Sequence, residues 1–100
     1  MPARFRLRFT DQAAVDLAEL KREPSRAKRF KAVRKTLGLL ETRPRHPGLQ
    51  THEYTSLKGA GGEKVFEAYA EHRAPAAYRV FRHYGPEKGV ITIIAITPHP

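Results

Sequence analysis

The chain has 100 residues, 40% of them hydrophobic, with 19 Lys/Arg against 10 Asp/Glu and no cysteine. That length bounds it to one domain (1–100) with a single modest core, and the missing thiols exclude a disulfide framework or a thiolate metal site. The formal charge of +9 is concentrated in residues 1–50, with 13 Lys/Arg against 5 Asp/Glu, and points to a polyanionic partner, nucleic acid or an acidic protein.

The amino terminus has charge but no apolar run of signal-peptide length, and no stretch reaches the roughly 20 apolar residues of a membrane span. A cytoplasmic protein with no membrane partner is expected. Phe5, Leu7 and Phe9 alternate with Arg4, Arg6 and Arg8, the period of a half-buried strand. The arginine row reads either as a charged edge that resists aggregation or as a contact surface for phosphates. Thr10 or Asp11 can cap a helix running to about Arg22, with Ala14, Leu17, Ala18 and Leu20 as its apolar stripe. Pro24 interrupts it, and Ser25 can cap a second helix through about Thr42. Phe30, Val33, Leu37 and Leu40 mark the buried face of that helix. Its other faces carry Arg26, Lys28, Arg29, Lys31, Arg34 and Lys35.

Residues 43–63, rich in Pro and Gly, read as a long loop. Three strands follow, at 64–71, 77–84 and 90–97, joined by turns short enough for antiparallel neighbours. The last is apolar on both faces and is expected to be an inner strand. The predicted order is β-α-α-β-β-β, an α+β class with a helical hairpin packed on one face of a largely antiparallel sheet.

Alternation puts Glu67 and Tyr69 on one face of their strand, and Arg79 and His83 on one face of the next. The five histidines show no metal-ligand spacing, and no Walker loop or serine elbow is present. No metal and no cofactor are expected. Acid–base chemistry on a polyanion remains. RNA supplies its own nucleophile, so an enzyme need only move two protons and stabilise the phosphate. Glu67 or His99 could act as base or acid, and Arg79, with Arg73 or Lys64 nearby, could hold the phosphate. A structural reading stands beside this one: Glu67 and Arg79 as a cross-strand ion pair, and His83 as a surface histidine.

The string Phe9-Thr10, Leu40…Pro44…Gly48-Leu49, His52-Glu53…Leu57-Lys58-Gly59, Val65-Phe66-Glu67, Tyr78-Arg79-Val80 and a last apolar strand running into His99 resembles the RelE/ParE superfamily of toxins from bacterial type II toxin–antitoxin systems. The resemblance covers essentially the whole chain. It implies a cognate antitoxin as partner. For the RelE-like branch, which the basic first half and His99 favour, it implies metal-free cleavage of messenger RNA in the ribosomal A site. Arg79 then matches a phosphate-binding arginine and His99 a catalytic histidine. Glu67 lies where some members carry a catalytic carboxylate, and Lys58, Lys64 and Arg73 where others carry basic residues. His83, Arg4, Arg6, Arg8, Arg26 and Arg29 would add RNA contacts. The C-terminal tyrosine of some members is absent. A ParE-like gyrase inhibitor and a nonenzymatic basic adaptor are the alternatives.

Overall fold

A computed structural model describes residues 4–72 and 76–98 of the chain. The elements are β1 (Arg6–Phe9), α1 (Asp11–Arg22), a 3₁₀ turn (Pro24–Arg26), α2 (Ala27–Thr42), a second 3₁₀ turn (Pro47–Leu49), β2 (His52–Lys58), β3 (Lys64–Tyr69), β4 (Tyr78–Tyr84) and β5 (Val90–Pro98). The five strands form one sheet in the order β1-β5-β4-β3-β2. Only the β1–β5 pair is parallel.

The α+β class, the helical pair and the inner position of β5 agree with the sequence pattern. The long loop does not. Seven residues of it, His52–Lys58, form β2 at the edge of the sheet. This strand is exposed on both faces except at Tyr54, so it lacks the apolar alternation that announces a half-buried strand. Its pairing with β3 also shifts between Glu53 and Lys58.

Thr10 caps α1 as its position suggests: it is extended, and its Oγ1 accepts from the Ala13 N–H at 3.1 Å. Lys21 and Arg22 close the last turn, where they complement the helix dipole. The residue before Pro24 is extended, as the proline ring requires, and this ends the helix. Ser25 does not cap α2. It lies inside the 3₁₀ turn, and the N-cap position falls to Arg26, which makes no side-chain cap bond. The turn itself feeds the chain into the helix.

The helices cover one face of the sheet. Ala13 and Leu20 of α1 and Val33, Leu37 and Leu40 of α2 pack with Ala68, Val80, Ile91, Ile93 and Ile96. Each large aliphatic side chain buried here contributes about 1.5–3 kcal/mol. Ile91 and Ile93 share a parity that Ile96 does not, yet all three enter this core. The reason is a bulge in β5. Phe81 pairs with Ala95 but Arg82 pairs with Ile93, which leaves Ile94 as the extra residue.

The start of α1 holds the bulge from both sides. Thr10 Oγ1 donates to the Ile94 carbonyl at 3.1 Å, and the Ile96 N–H donates to Asp16 Oδ2 at 2.9 Å. Asp16→Ala strands that buried N–H beside the bulge. A loss of about 1–3 kcal/mol in urea unfolding is expected. An effect under about 0.5 kcal/mol would mean that the bulge stands without its staple.

Candidate active site

The sheet face away from the helices carries the residues with chemical potential. Two cross-strand rows organise it: His52, Glu67, Phe81 and Ala95 in one, and Tyr69, Arg79 and Thr97 in the next. Glu67, Tyr69, Arg79 and His83 thus share a face, as the alternation predicts.

In the first row His52 Nε2 lies 2.5 Å from Glu67 Oε1. Glu67 is 1% exposed, whereas the His52 side chain is 47% exposed. A carboxylate buried this deeply needs a partner, and the imidazole supplies it. The other ring nitrogen, Nδ1, lies 3.1 Å from the Gln50 carbonyl. Both ring nitrogens therefore face oxygen acceptors, an arrangement fully satisfied when the ring carries both protons. The carboxylate fixes the ring at the open edge of the sheet.

In the second row the Arg79 guanidinium stacks on Tyr69, 3.7 Å from the ring centroid. Nη1 donates to the carbonyls of Glu71 and Ala77, both at 3.2 Å. Nε is buried without a hydrogen-bond partner. Among the described residues none accepts from Nη2 either, and of these two nitrogens only Nε is sealed from solvent, so Nη2 is the donor left for a ligand. The same Tyr69 ring meets His52 edge-on at 5.8 Å and His72 at 5.3 Å. Tyr69 thereby joins the imidazole–carboxylate pair to the arginine. Glu67 and Arg79 are not an ion pair: Glu67 holds His52, and Arg79 is held by carbonyls and an aromatic face.

Glu71 holds the start of β4, beside Arg79. Its Oε1 accepts from Arg29 Nε at 2.8 Å and from the Tyr78 N–H at 2.9 Å. Arg29 also lies over the Tyr78 ring at 4.5 Å. Arg29, expected to contact RNA, is thus engaged in tying α2 to β4. Its sequence signal, one cation among six, could not separate it from its neighbours.

The other expected contacts are scattered. His83 is buried, with Nδ1 3.1 Å from the Tyr84 carbonyl. It sits beneath the β2–β3 turn, where a Cβ on Gly59 would come within 2.9 Å of its ring. Its cleft, about 650 Å³, also takes in Arg8, Thr10 and Glu63. Glu63 is held below the usual carboxylate range by backbone N–H groups, its own and that of Gly61, and further by His83 nearby. Lys58 and Lys64 face each other at the far end of the β2–β3 hairpin, and Lys58 lies 3.9 Å from Glu53. Arg4 and Arg6 pair with Glu41 and Glu87 at 3.8 and 3.4 Å. Arg8 and Arg26 are exposed. Arg73 and His99 lie outside the described residues.

Sequence reasoning missed His52, because its strand was read as loop. The His-x-Tyr alternation of His52 and Tyr54 was the available signal. It also missed Arg82, which is fully buried. Among the described residues no three His, Asp or Glu side chains are grouped to hold a metal ion. No helix among them is long and apolar enough to cross a membrane.

No protein-family model and no curated protein matches the sequence. Solved structures do match in fold. A YoeB/ParE toxin from Agrobacterium tumefaciens superposes with a TM-score of 0.69 at 12% identity, over 95% of this chain and 99% of that one. The YoeB dimer structure from Staphylococcus aureus gives 0.63 at 18% identity, over 98% and 100%. The archaeal RelE–RelB complex from Pyrococcus horikoshii gives 0.62 at 19% identity, over 98% and 96%. Two helices on a five-stranded, mostly antiparallel sheet, with both chains covered almost end to end, give this chain the same fold as these YoeB/ParE and RelE structures.

Proposed function

We propose that this chain is the toxin of a type II toxin–antitoxin system and a metal-independent endoribonuclease that cuts messenger RNA in the ribosomal A site. The observation that carries the reading is the unpaired Nη2 of Arg79, on a guanidinium oriented by two carbonyls and Tyr69. A charged N–H donor held in this way makes a strong hydrogen bond to a phosphate oxygen. Next to it stands an imidazole–carboxylate pair, the usual means of moving a proton near neutral pH.

The step follows from these parts. A basic group, the role assigned to His99, takes the proton of the 2′-hydroxyl, whose oxygen attacks the adjacent phosphorus. Arg79 neutralises the charge that builds on the non-bridging oxygens. The 5′-oxygen leaves with a proton from His52, which Glu67 holds in place. The products are a 2′,3′-cyclic phosphate and a free 5′-hydroxyl. Exposed Arg8, Arg26 and Lys64 contribute to holding the RNA. The fold shared with the RelE of a RelE–RelB complex supports an antitoxin as the protein partner.

His52→Ala should lower cleavage by about 10²–10⁴-fold, the usual worth of a general acid–base group. Glu67→Gln should lower kcat with little change in KM. Single-turnover cleavage assays measure both. Rates within threefold of wild type in both variants would remove the pair from the mechanism.

A further inference from the structure

A second basic cleft lies at the other end of β4, on the other face of the sheet. Tyr84 is five residues along the strand from Arg79, about 17 Å at strand rise. It shares the parity of Val80, which faces the helices. Phe5, Tyr84, Arg43, Arg45 and His46 line an open cleft of about 560 Å³ there. That size falls within the range of small-ligand sites, about 300–1,000 Å³.

Three properties of its walls point the same way. Tyr84 is 42% exposed although its ring is braced from two sides, by Phe5 at 5.8 Å and Phe66 at 6.1 Å. A held aromatic ring with an open face is a stacking platform. Arg43 and Arg45 are exposed, and among the described residues neither is in an ion pair, whereas Arg4 and Arg6 nearby have Glu41 and Glu87. His46 accepts the Gly48 N–H on Nδ1 at 2.9 Å, so Nε2 carries the ring hydrogen and serves as a further donor.

We infer that this cleft binds one unpaired nucleotide of single-stranded RNA, its base stacked on Tyr84 and its phosphate held by Arg43 and Arg45. The held aromatic face in a cleft of small-molecule size favours a nucleotide over an acidic peptide, which offers charge but no base to stack. The inference extends the RNA reading of the chain and is independent of the cleavage chemistry, since none of these residues belongs to the Arg79 face.

The test is a titration of the ¹⁵N-labelled chain with adenosine 5′-monophosphate, followed by amide shifts. Saturable shifts should cluster at residues 43–48 and 84–85. The Arg43→Ala/Arg45→Ala double variant, altered only at exposed positions, should weaken binding about tenfold. Tyr84→Leu should do the same, while Tyr84→Phe keeps the platform and stays near wild type. Inorganic phosphate and an octaglutamate peptide are the comparison probes. Should either produce the same shifts with the same affinity, regardless of Tyr84→Leu, the cleft is an anion or acidic-protein site and the inference fails. An absence of clustered shifts with the mononucleotide also overturns it. Because the probe has no scissile bond, a chain that binds it here yet leaves ribosomal messenger RNA intact would sink the nuclease reading alone.

Discussion

Arg79→Ala should reduce messenger RNA cleavage by about 10²–10³-fold, the cost of losing one oriented donor to a developing anion. The geometry makes this the most sensitive single position. Nη1 is spent on the Glu71 and Ala77 carbonyls, and the Tyr69 face sets the plane. What remains for substrate is Nη2, since Nε is buried. Arg79→Lys should recover little, because an ammonium keeps the charge but not the planar group that the Tyr69 face and the two carbonyls orient. The same variants should keep the wild-type circular dichroism spectrum, since the residue is only half-buried. Cleavage within tenfold of wild type in Arg79→Ala would mean that the phosphate is held elsewhere.

A second large effect should appear in stability, with the opposite sign from most core substitutions. Arg82 is fully buried. Its Nε and Nη1 have no hydrogen-bond partner, and the guanidinium is met by Thr51 Oγ1, 3.2 Å from Nη2, and by the Tyr84 hydroxyl. Burial pushes its pKa down, with Tyr84 partly offsetting that. The Phe66 ring, 5.9 Å away, offers weak compensation, and among the described residues no carboxylate pairs with it. A buried charge without a carboxylate costs more in desolvation than such contacts return. Arg82→Met keeps length and apolar volume, and should stabilise the fold by about 1–4 kcal/mol. For a chain of this size each kcal/mol moves Tm by roughly 4–8 °C. A fall in Tm would show that Thr51 and Tyr84 hold the guanidinium better than their geometry implies.

How much of this was legible in the sequence depended on whether one local pattern decided each feature. Thr10, Pro24 and the Leu17/Leu20 and Val33/Leu37/Leu40 stripes fix their helices within a few residues of chain, so the helical pair was readable. The doubly apolar 90–97 run announced an inner strand. Strand β2 was not readable, because an edge strand exposed on both faces takes its identity from pairing with β3 rather than from its own residues. That omission hid His52, and with it half of the imidazole–carboxylate pair. Alternation rightly put Glu67 and Arg79 on one face but could not show that each has a different partner. The bulge at Ile94 was equally invisible, since only Thr10 and Asp16, some eighty residues away, hold it. Arg82 was legible in principle: a cation at the parity of Val80 is a charge on the buried face.

The most direct test of the nuclease reading is cleavage of messenger RNA on programmed ribosomes in the presence of EDTA. The account predicts cuts within the A-site codon that survive the chelator, leave 2′,3′-cyclic phosphate ends, and disappear in Arg79→Ala. Intact message from a chain that still arrests growth, with gyrase supercoiling inhibited instead, would contradict it.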